Sequence, residues 1–327
     1  MFRKTRRFFF FAPLAMLLCR SEVFAQQAKY PSRPIRILVP FPPGGAVDTI
    51  ARVLSDRLAR QLGQPIIVEN RPGAGSRLAA EAVAKSPADG YTILLSTAAP
   101  ITIAPALVKD MRYNVGTDLM PLMQVAEIVN VMVVNPDLGI TSVKDFIEWG
   151  RKKKSSIRFG SSGAGSTDHL AGELFRKLSG LNLEHVAYKG GGPALIDLSR
   201  GDIEVSFATY AVALPLVRSK RIKVIAVTTS ERQALLPGVP TIGETVPGFS
   251  VSNWAGVTLP KGTPEPIADR LFAEMKKASA DSDVRTLLNA AGIDVNNSRS
   301  IAEFQTFVAE ETKLWKKVVL DANIEVE

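Results

Sequence analysis

Apolar positions along this chain recur with two periods. Ile35–Val39 is a β-branched and aliphatic run broken only by Arg36, and Val47, Ile50, Leu54 and Leu58 follow at helical spacing. The first pattern predicts a buried strand and the second an amphipathic helix. Between them lies Pro40-Phe41-Pro42-Pro43-Gly44-Gly45-Ala46, a turn that prolines stiffen and glycines strip of side chains, so that a ligand can approach backbone N–H groups at the helix start. Such a helix start attracts anions, although the same glycines also suit a plain tight turn.

The pattern then repeats. Strands are predicted at 66–68 and 91–95, with the Gly-rich turn Asn70-Arg71-Pro72-Gly73-Ala74-Gly75 opening an alanine-rich helix that runs to about Lys85. Residues 120–135 read as extended, with Val131-Met132-Val133-Val134 a clear strand. A second series follows. Ser142 and Asp145 pair as a helix N-cap for a helix to Trp149, and strands are expected at 157–160, 183–186, 203–208 and 224–227. Helices are expected from the 161–169 loop to Leu178 and from Pro193 to Ser199. A last strand at 251–259 precedes helical patterns at 266–279, 284–291 and 301–322. Repeated βα alternation predicts mainly parallel sheets covered by helices, with ligands beyond the carboxyl ends of the strands. The helical tail has no strands of its own and is expected to pack back on the first unit. The chain therefore crosses between two lobes twice, near Glu127 and near Ser252, and two crossings make a hinge.

Composition bounds the class. The chain has 327 residues and is 46% hydrophobic, enough for two globular lobes. Arg3, Lys4, Arg6 and Arg7 precede an apolar stretch over 8–18, and Val23-Phe24-Ala25 offers a small-residue cleavage site, the three parts of a secretory signal peptide over 1–25. The expected lobes are then 26–127 with 252–327, and 128–251. Five cations and one acid would leave with the signal, halving the formal charge of +8. The cluster Arg151-Lys152-Lys153-Lys154 closes a helix where cations complement its dipole, and without interleaved aromatics it does not read as a nucleic-acid patch. The single cysteine, Cys19, lies in the signal; Leu18 before it argues against lipid anchoring. Disulfide frameworks and thiolate zinc sites are excluded from the mature part.

Three Gly-rich loops each join a predicted strand to a predicted helix, at 41–48, 161–167 and 188–192. Facing one another across a cleft, they would offer N–H groups and hydroxyls to an anion, and a carboxylate is the expected guest. Enzyme signatures are poor. Gly160, Gly163 and Gly165 do not make a dinucleotide fingerprint, no phosphate-loop lysine exists, and Gly160-Ser161-Ser162-Gly163-Ala164 is not a nucleophile elbow. A hydrolase would have to pair Ser161 or Ser162 with His169, which is otherwise a ligand contact or a packed cleft side chain; His185 reads as structural. Two separated histidines leave a zinc site short of ligands. Asp48 either complements its helix dipole or meets a polar group of the ligand.

The chain resembles the substrate-binding proteins of tripartite tricarboxylate transporters, the Bug receptors. The resemblance covers essentially the whole mature part. It rests on Tyr30-Pro31-Ser32-Arg33-Pro34-Ile35, Val39-Pro40-Phe41-Pro42-Pro43-Gly44-Gly45, Asn70-Arg71-Pro72-Gly73-Ala74-Gly75, Asp89-Gly90-Tyr91, Phe159-Gly160, Gly165-Ser166, His169-Leu170-Ala171, Tyr188-Lys189-Gly190-Gly191, Val246-Pro247-Gly248-Phe249 and Gly262-Thr263-Pro264. It implies an α/β, two-lobed type II periplasmic binding fold that closes on a small carboxylated solute. It further implies a carboxylate held by Phe41, Gly44, Gly45, Ala46 and Asp48, partly through water, and by Ser161, Gly165, Ser166 and Thr167. Ser96, Thr97, Ala98, Tyr188, Lys189, Gly190 and Ala208 would tune specificity, with His169 nearby. The chain departs from the family in lacking a histidine over 99–102 and in carrying Ser76 where glycine is usual. The expected protein is a monomeric periplasmic receptor without cofactor, metal, nucleic-acid partner or catalysis, delivering its solute to a membrane permease; a Ser/His hydrolase and a ligand sensor are the alternatives.

Overall fold

The computed structural model describes Met1 and residues 30–322; the expected signal peptide, including Cys19, lies outside the described residues. The first series comprises β1 (Ile35–Val39), α1 (Ala46–Leu62), β2 (Ile66–Asn70), α2 (Arg77–Ala84) and β3 (Thr92–Thr97). A π-helical turn, Ala99–Ile103, then runs into the short α3 (Ala104–Leu107) and α4 (Val115–Asp118), followed by β4 (Leu119–Glu127). The second series is β5 (Val131–Val134), α5 (Val143–Lys152), β6 (Ile157–Ser161), α6 (Thr167–Ser179), β7 (Leu183–Ala187), α7 (Gly191–Arg200), β8 (Val205–Ser206), α8 (Tyr210–Arg218) and β9 (Lys223–Val227). The chain closes with β10 (Trp254–Pro260), α9 (Glu265–Ala280), α10 (Ser282–Ala290) and α11 (Ile301–Ala322).

These strands form two five-stranded sheets of the same design, ordered β2-β1-β3-β10-β4 and β7-β6-β8-β5-β9. In each, four strands run one way and one opposes them: β10 is antiparallel to β3 and β4, and β5 is antiparallel to β8 and β9. The opposing strand is in each case the one that has just arrived from the other sheet. The strand expected at 203–208 is only two residues long, and the one expected from 251 begins at Trp254, because Val251 N–H donates to Thr228 O at 2.8 Å.

Alternation along the strands fills both faces of the first sheet. Ile35, Ile37, Val39, Ile93 and Leu95 point to a core under α1, α9 and α10. Leu38 and Leu94 point to the opposite side, where α2 and α11 cover the sheet. That second core is continuous with the core of the other sheet through Phe146, Phe159, Phe175 and Phe207, while Val131, Val133, Leu195 and Ala213 form a separate layer under α7 and α8. Glu311 of α11 is the polar tie in this packing. It accepts from Trp254 Nε1 at 2.6 Å, from Thr102 Oγ1 at 3.0 Å and from Ser252 Oγ at 3.3 Å, and burial raises its pKa despite those bonds.

The two connections between sheets run side by side, with Ile128 N–H donating to Asn253 O at 3.0 Å. No helix among the described residues is long and apolar enough to cross a membrane. The seating of α11 is testable at Gly256, where a Cβ would lie 2.4 Å from the Phe304 ring. Gly256→Ala should cost about 1–3 kcal/mol of unfolding free energy by overpacking, read as a lower urea midpoint with an unchanged slope.

Candidate functional site

The first loop is built by its own acid. Gly44 takes φ +86°, which only glycine adopts without strain, and Gly45 serves as the extended N-cap of α1. Asp48, buried in the first turn, accepts from Gly44 N at 2.9 Å, Arg52 Nε at 3.0 Å and Asn70 Nδ2 at 2.9 Å. Asn70 Nδ2 also donates to Phe41 O at 3.0 Å, so the carboxylate holds the loop from beneath at both ends. Burial pushes the Asp48 carboxyl up, but the bonds from Arg52, Gly44 and Asn70 outweigh that and hold it below the usual carboxylate range. The side chain is therefore engaged with its own loop and does not line the cavity described below.

The serine loop follows the same logic. Ser162 donates from its N–H at 2.6 Å and its Oγ at 2.8 Å to the two oxygens of Asp168, whose carboxyl burial pushes up and these bonds, with Ser166, pull back. Ser166 caps α6 by accepting from His169 N at 3.4 Å and donating to Gly163 O at 2.5 Å. Gly165 N–H donates to His169 Nδ1 at 3.1 Å. His169 stacks on His185 with ring centroids 3.9 Å apart, and His185 Nε2 meets Ser161 Oγ at 2.6 Å. Burial lowers both histidines from 6.5 to about 4, so both are neutral at pH 7.

Four helix N-termini converge on one cavity of about 210 Å³ between the sheets. Gly45, Ala46 and Val47 come from α1, Ser166 and Thr167 from α6, Gly190 to Gly192 from α7, and Thr209 with Val212 from α8. Asn130, on the first connection, sets two of these ends: its Oδ1 accepts from Thr209 Oγ1 at 3.2 Å, and its Nδ2 faces Thr167 Oγ1 at 3.5 Å. Among the described residues, α1 and α7 carry no side-chain cap, so N–H groups of their first turns are left for a guest, whereas at α8 Tyr210 N–H donates to Val129 O at 2.8 Å and Val212 N–H to Thr209 O at 3.1 Å. Ile128 and Asn253 of the two connections line the same space, as do Phe41, Thr97, Ala99 and Lys189. Thr97 Oγ1 is buried without a partner.

Of the residues singled out in the sequence, Phe41, Gly44, Gly45, Ala46, Thr97, Ser162, Ser166, Thr167, Lys189 and Gly190 line the cavity. The others stand behind it, each for a definite reason. Asp48 buttresses its loop, and Gly165 orients His169. His169 and Ser161 are tied up with the stacked imidazoles, so the pairing of either serine with His169 is not formed. Ser96 Oγ donates to Gly256 O within the sheet, and Ala98 and Ala208 are core. Tyr188 donates to Asp197 at 2.8 Å, and burial together with that carboxylate raises its phenol to about 12. Sequence reasoning missed Ile128, Thr209, Val212 and Asn253 as lining residues. The first and last lie at the crossings already inferred; the α8 pair was hidden because an aliphatic helix carrying Pro215 gives no amphipathic signal.

The cleft is narrow at its mouth. A Cβ at Gly75 would stand 3.0 Å from Ala164 O, one at Gly165 3.8 Å from Leu107, and one at Gly190 3.9 Å from Pro42, so glycines mark where the two halves approach.

Two similar sheets, each with one opposing strand, and a glycine-lined cleft between them make the architecture of a two-lobed periplasmic binding protein. The chain belongs to the tripartite tricarboxylate transporter receptor family, a periplasmic solute-binding family whose model matches residues 50–324. Protein BugT of Bordetella pertussis is 37% identical over 295 residues, which cover 89% of each chain. Among solved structures, Rpa4515 of R. palustris with adipate has 33% identity and a TM-score of 0.86 over 90% of this chain and 99% of that one. MatC of Rhodopseudomonas palustris with bound malate has 32% identity and a TM-score of 0.82 over 89% and 100%.

The imidazole pair makes a pH prediction. A histidine whose folded pKa is depressed supports folding fully above its unfolded value of 6.5, and that support is lost as pH falls toward about 4. The stability advantage of wild type over His185→Gln should therefore shrink between pH 7 and 4.5, by up to ~1.4 kcal/mol per pH unit. Chemical denaturation of both proteins across that range measures it; a constant difference would show that the pair titrates normally.

Proposed function

We infer that this chain is an exported receptor that closes on a small carboxylated solute and delivers it to a tripartite tricarboxylate-type membrane permease. The observation that carries the reading is the convergence of four helix N-termini on one cavity between the sheets, with those of α1 and α7 left without side-chain caps among the described residues. Uncapped N–H groups in a desolvated space favour an anion, through charge-assisted hydrogen bonds and the summed helix dipoles. The adipate and malate held by the two structural relatives support a carboxylate as that anion. In this reading the lobes are 26–127 with 252–327, and 128–251, and the connections near Ile128 and Asn253 are the hinge. Phe41, Gly44 to Ala46, Thr97, Ser166, Thr167, Lys189 and Gly190 contact the ligand, while Asp48 and His169 fix the loops that do so.

Titration calorimetry against aliphatic acids, aromatic acids, hydroxy acids and amino acids tests the reading, with binding of at least one acid expected and silence across the panel refuting it. Closure has a separate test. Gly75 lies outside the cavity at φ +60°, with its Cβ position 3.0 Å from Ala164 O. Gly75→Val should weaken binding of any active acid at least tenfold while leaving the folded far-ultraviolet spectrum intact; unchanged affinity would remove closure from the account.

A further inference from the structure

We propose that a basic groove between α11 and the stretch from α3 to β4, separate from the cleft, docks an extended acidic segment of a partner protein. The groove has a volume of about 970 Å³ and draws its walls from three separate parts of the chain. Lys109 and Arg112 come from the stretch after α3, Lys261 from the turn after β10, and Lys313 and Lys316 from α11. All five are exposed, and among the described residues none of them makes an ion pair. The neighbouring acids do not cancel them. Asp118, the one acid lining the groove among the described residues, is spent on its own turn, accepting from Asn114 N–H at 2.7 Å and from Thr117 Oγ1 at 2.8 Å. Glu81, within the field of Arg112, is bonded to Lys85 at 2.6 Å, while Asp110 and Glu310 are exposed and do not line the groove. A positive face of this kind attracts opposite charge over about 10 Å at 0.1 M salt.

The floor of the groove chooses between acidic partners. Met111, Val115, Pro121 and Val308 lie along it, so a segment with apolar side chains between its carboxylates can cover hydrocarbon and meet the cations together. A planar bilayer surface cannot follow a concave wall. The groove is also firmly built: Tyr113 donates to Pro100 O at 2.6 Å, Lys261 N–H to Asp118 O at 2.9 Å, and Gln305 Nε2 to Pro121 O at 3.3 Å. A preformed surface spends little of its binding energy on ordering itself. Its position suits a partner that attends the cleft. Thr97 and Ala99 line the cavity, Pro105 and Val108 line the groove, and the π-helical turn and α3 join the two. Leu107, in that same stretch, lies 3.8 Å from where a Cβ on Gly165 would stand. A segment seated in the groove is therefore beside a point where the two halves approach each other, whichever solute the cleft takes.

Fluorescence anisotropy with a labelled peptide of repeated Glu-Glu-Leu tests the proposal, with repeated Gln-Gln-Leu as its neutral counterpart. The acidic peptide should bind and the neutral one should not, and raising salt from about 0.05 to 0.5 M should weaken binding about tenfold. Lys313→Glu combined with Lys316→Glu should lower the affinity about tenfold, and so should Lys109→Glu combined with Arg112→Glu on the facing wall, which keeps the test open if one pair fails to fold. Lys152→Glu with Lys154→Glu, at the basic end of α5, changes net charge by the same amount and should bind as wild type does. No binding of the acidic peptide, or equal losses in the α5 control, overturns the proposal. Sedimentation with phosphatidylglycerol vesicles that is lost in the Lys313→Glu and Lys316→Glu protein, without any peptide binding, would overturn it in favour of a membrane surface. Calorimetry of acids in the cleft should be the same for all these variants, so the carboxylate reading stands or falls separately.

Discussion

The first N–H groups of a helix have no acceptor within that helix, and every arrangement around this cleft answers to that fact. Four helices bring such ends to one space, and the sequence treats them unequally. At α6 a serine hydroxyl closes the end, and at α1 an aspartate props the loop from below without filling it. At α7 the N-cap is glycine, and at α8 the threonine that would cap turns instead to Asn130. At α1 and α7, groups that an ordinary helix would satisfy with its own side chains are held open, while at α8 the first N–H goes to Val129 O. The prolines, the positive-φ glycines and the buried Asp48–Asn70 and Ser162–Asp168 pairs all keep that open geometry from collapsing.

Rigidity is thus concentrated behind the cavity. The two histidines show it most plainly. Read from the sequence, His169 sits where a ligand contact or a catalytic base would stand, yet it stacks on His185, which lies between it and Phe159, and it accepts from Gly165 N–H. Its chemistry goes into the shape of the serine loop, and burial keeps it neutral for that task. Glu311 plays a comparable part on the far side, joining the long C-terminal helix to the π-helical turn and to the second connection.

Much of the fold was legible because β-branched runs and helical spacing alternate so regularly, and the turns between them are marked by proline and glycine. Ser142 capping α5 and glycine ending α1 and α6 are formed as local rules require. The pattern failed where periodicity carried no information. The apolar run 99–107, with Pro100 and Pro105, folds as a π turn and a short helix because α11 buries it on one side. The aliphatic α8 and the two-residue β8 are decided by neighbours and not by local preference. The loops of the site were legible as loops. Which of their atoms face the cavity depends on hydrogen bonds between residues distant in sequence, such as Asn70 with Phe41 and Asn130 with Thr209, and no local pattern encodes those.

The exchange of one strand between the sheets also orders assembly. The β5–β9 sheet is drawn from one continuous stretch of chain, but β4 finds its only partner in β10, some 130 residues later. A chain emerging from its N-terminus can complete the second half while the first still lacks its fourth strand and has an unpaired edge at β3. The half that begins first finishes last. Residues 254–260 then close that edge and, in the same movement, draw the second connection alongside the first, so the cleft exists only once the last sheet is whole.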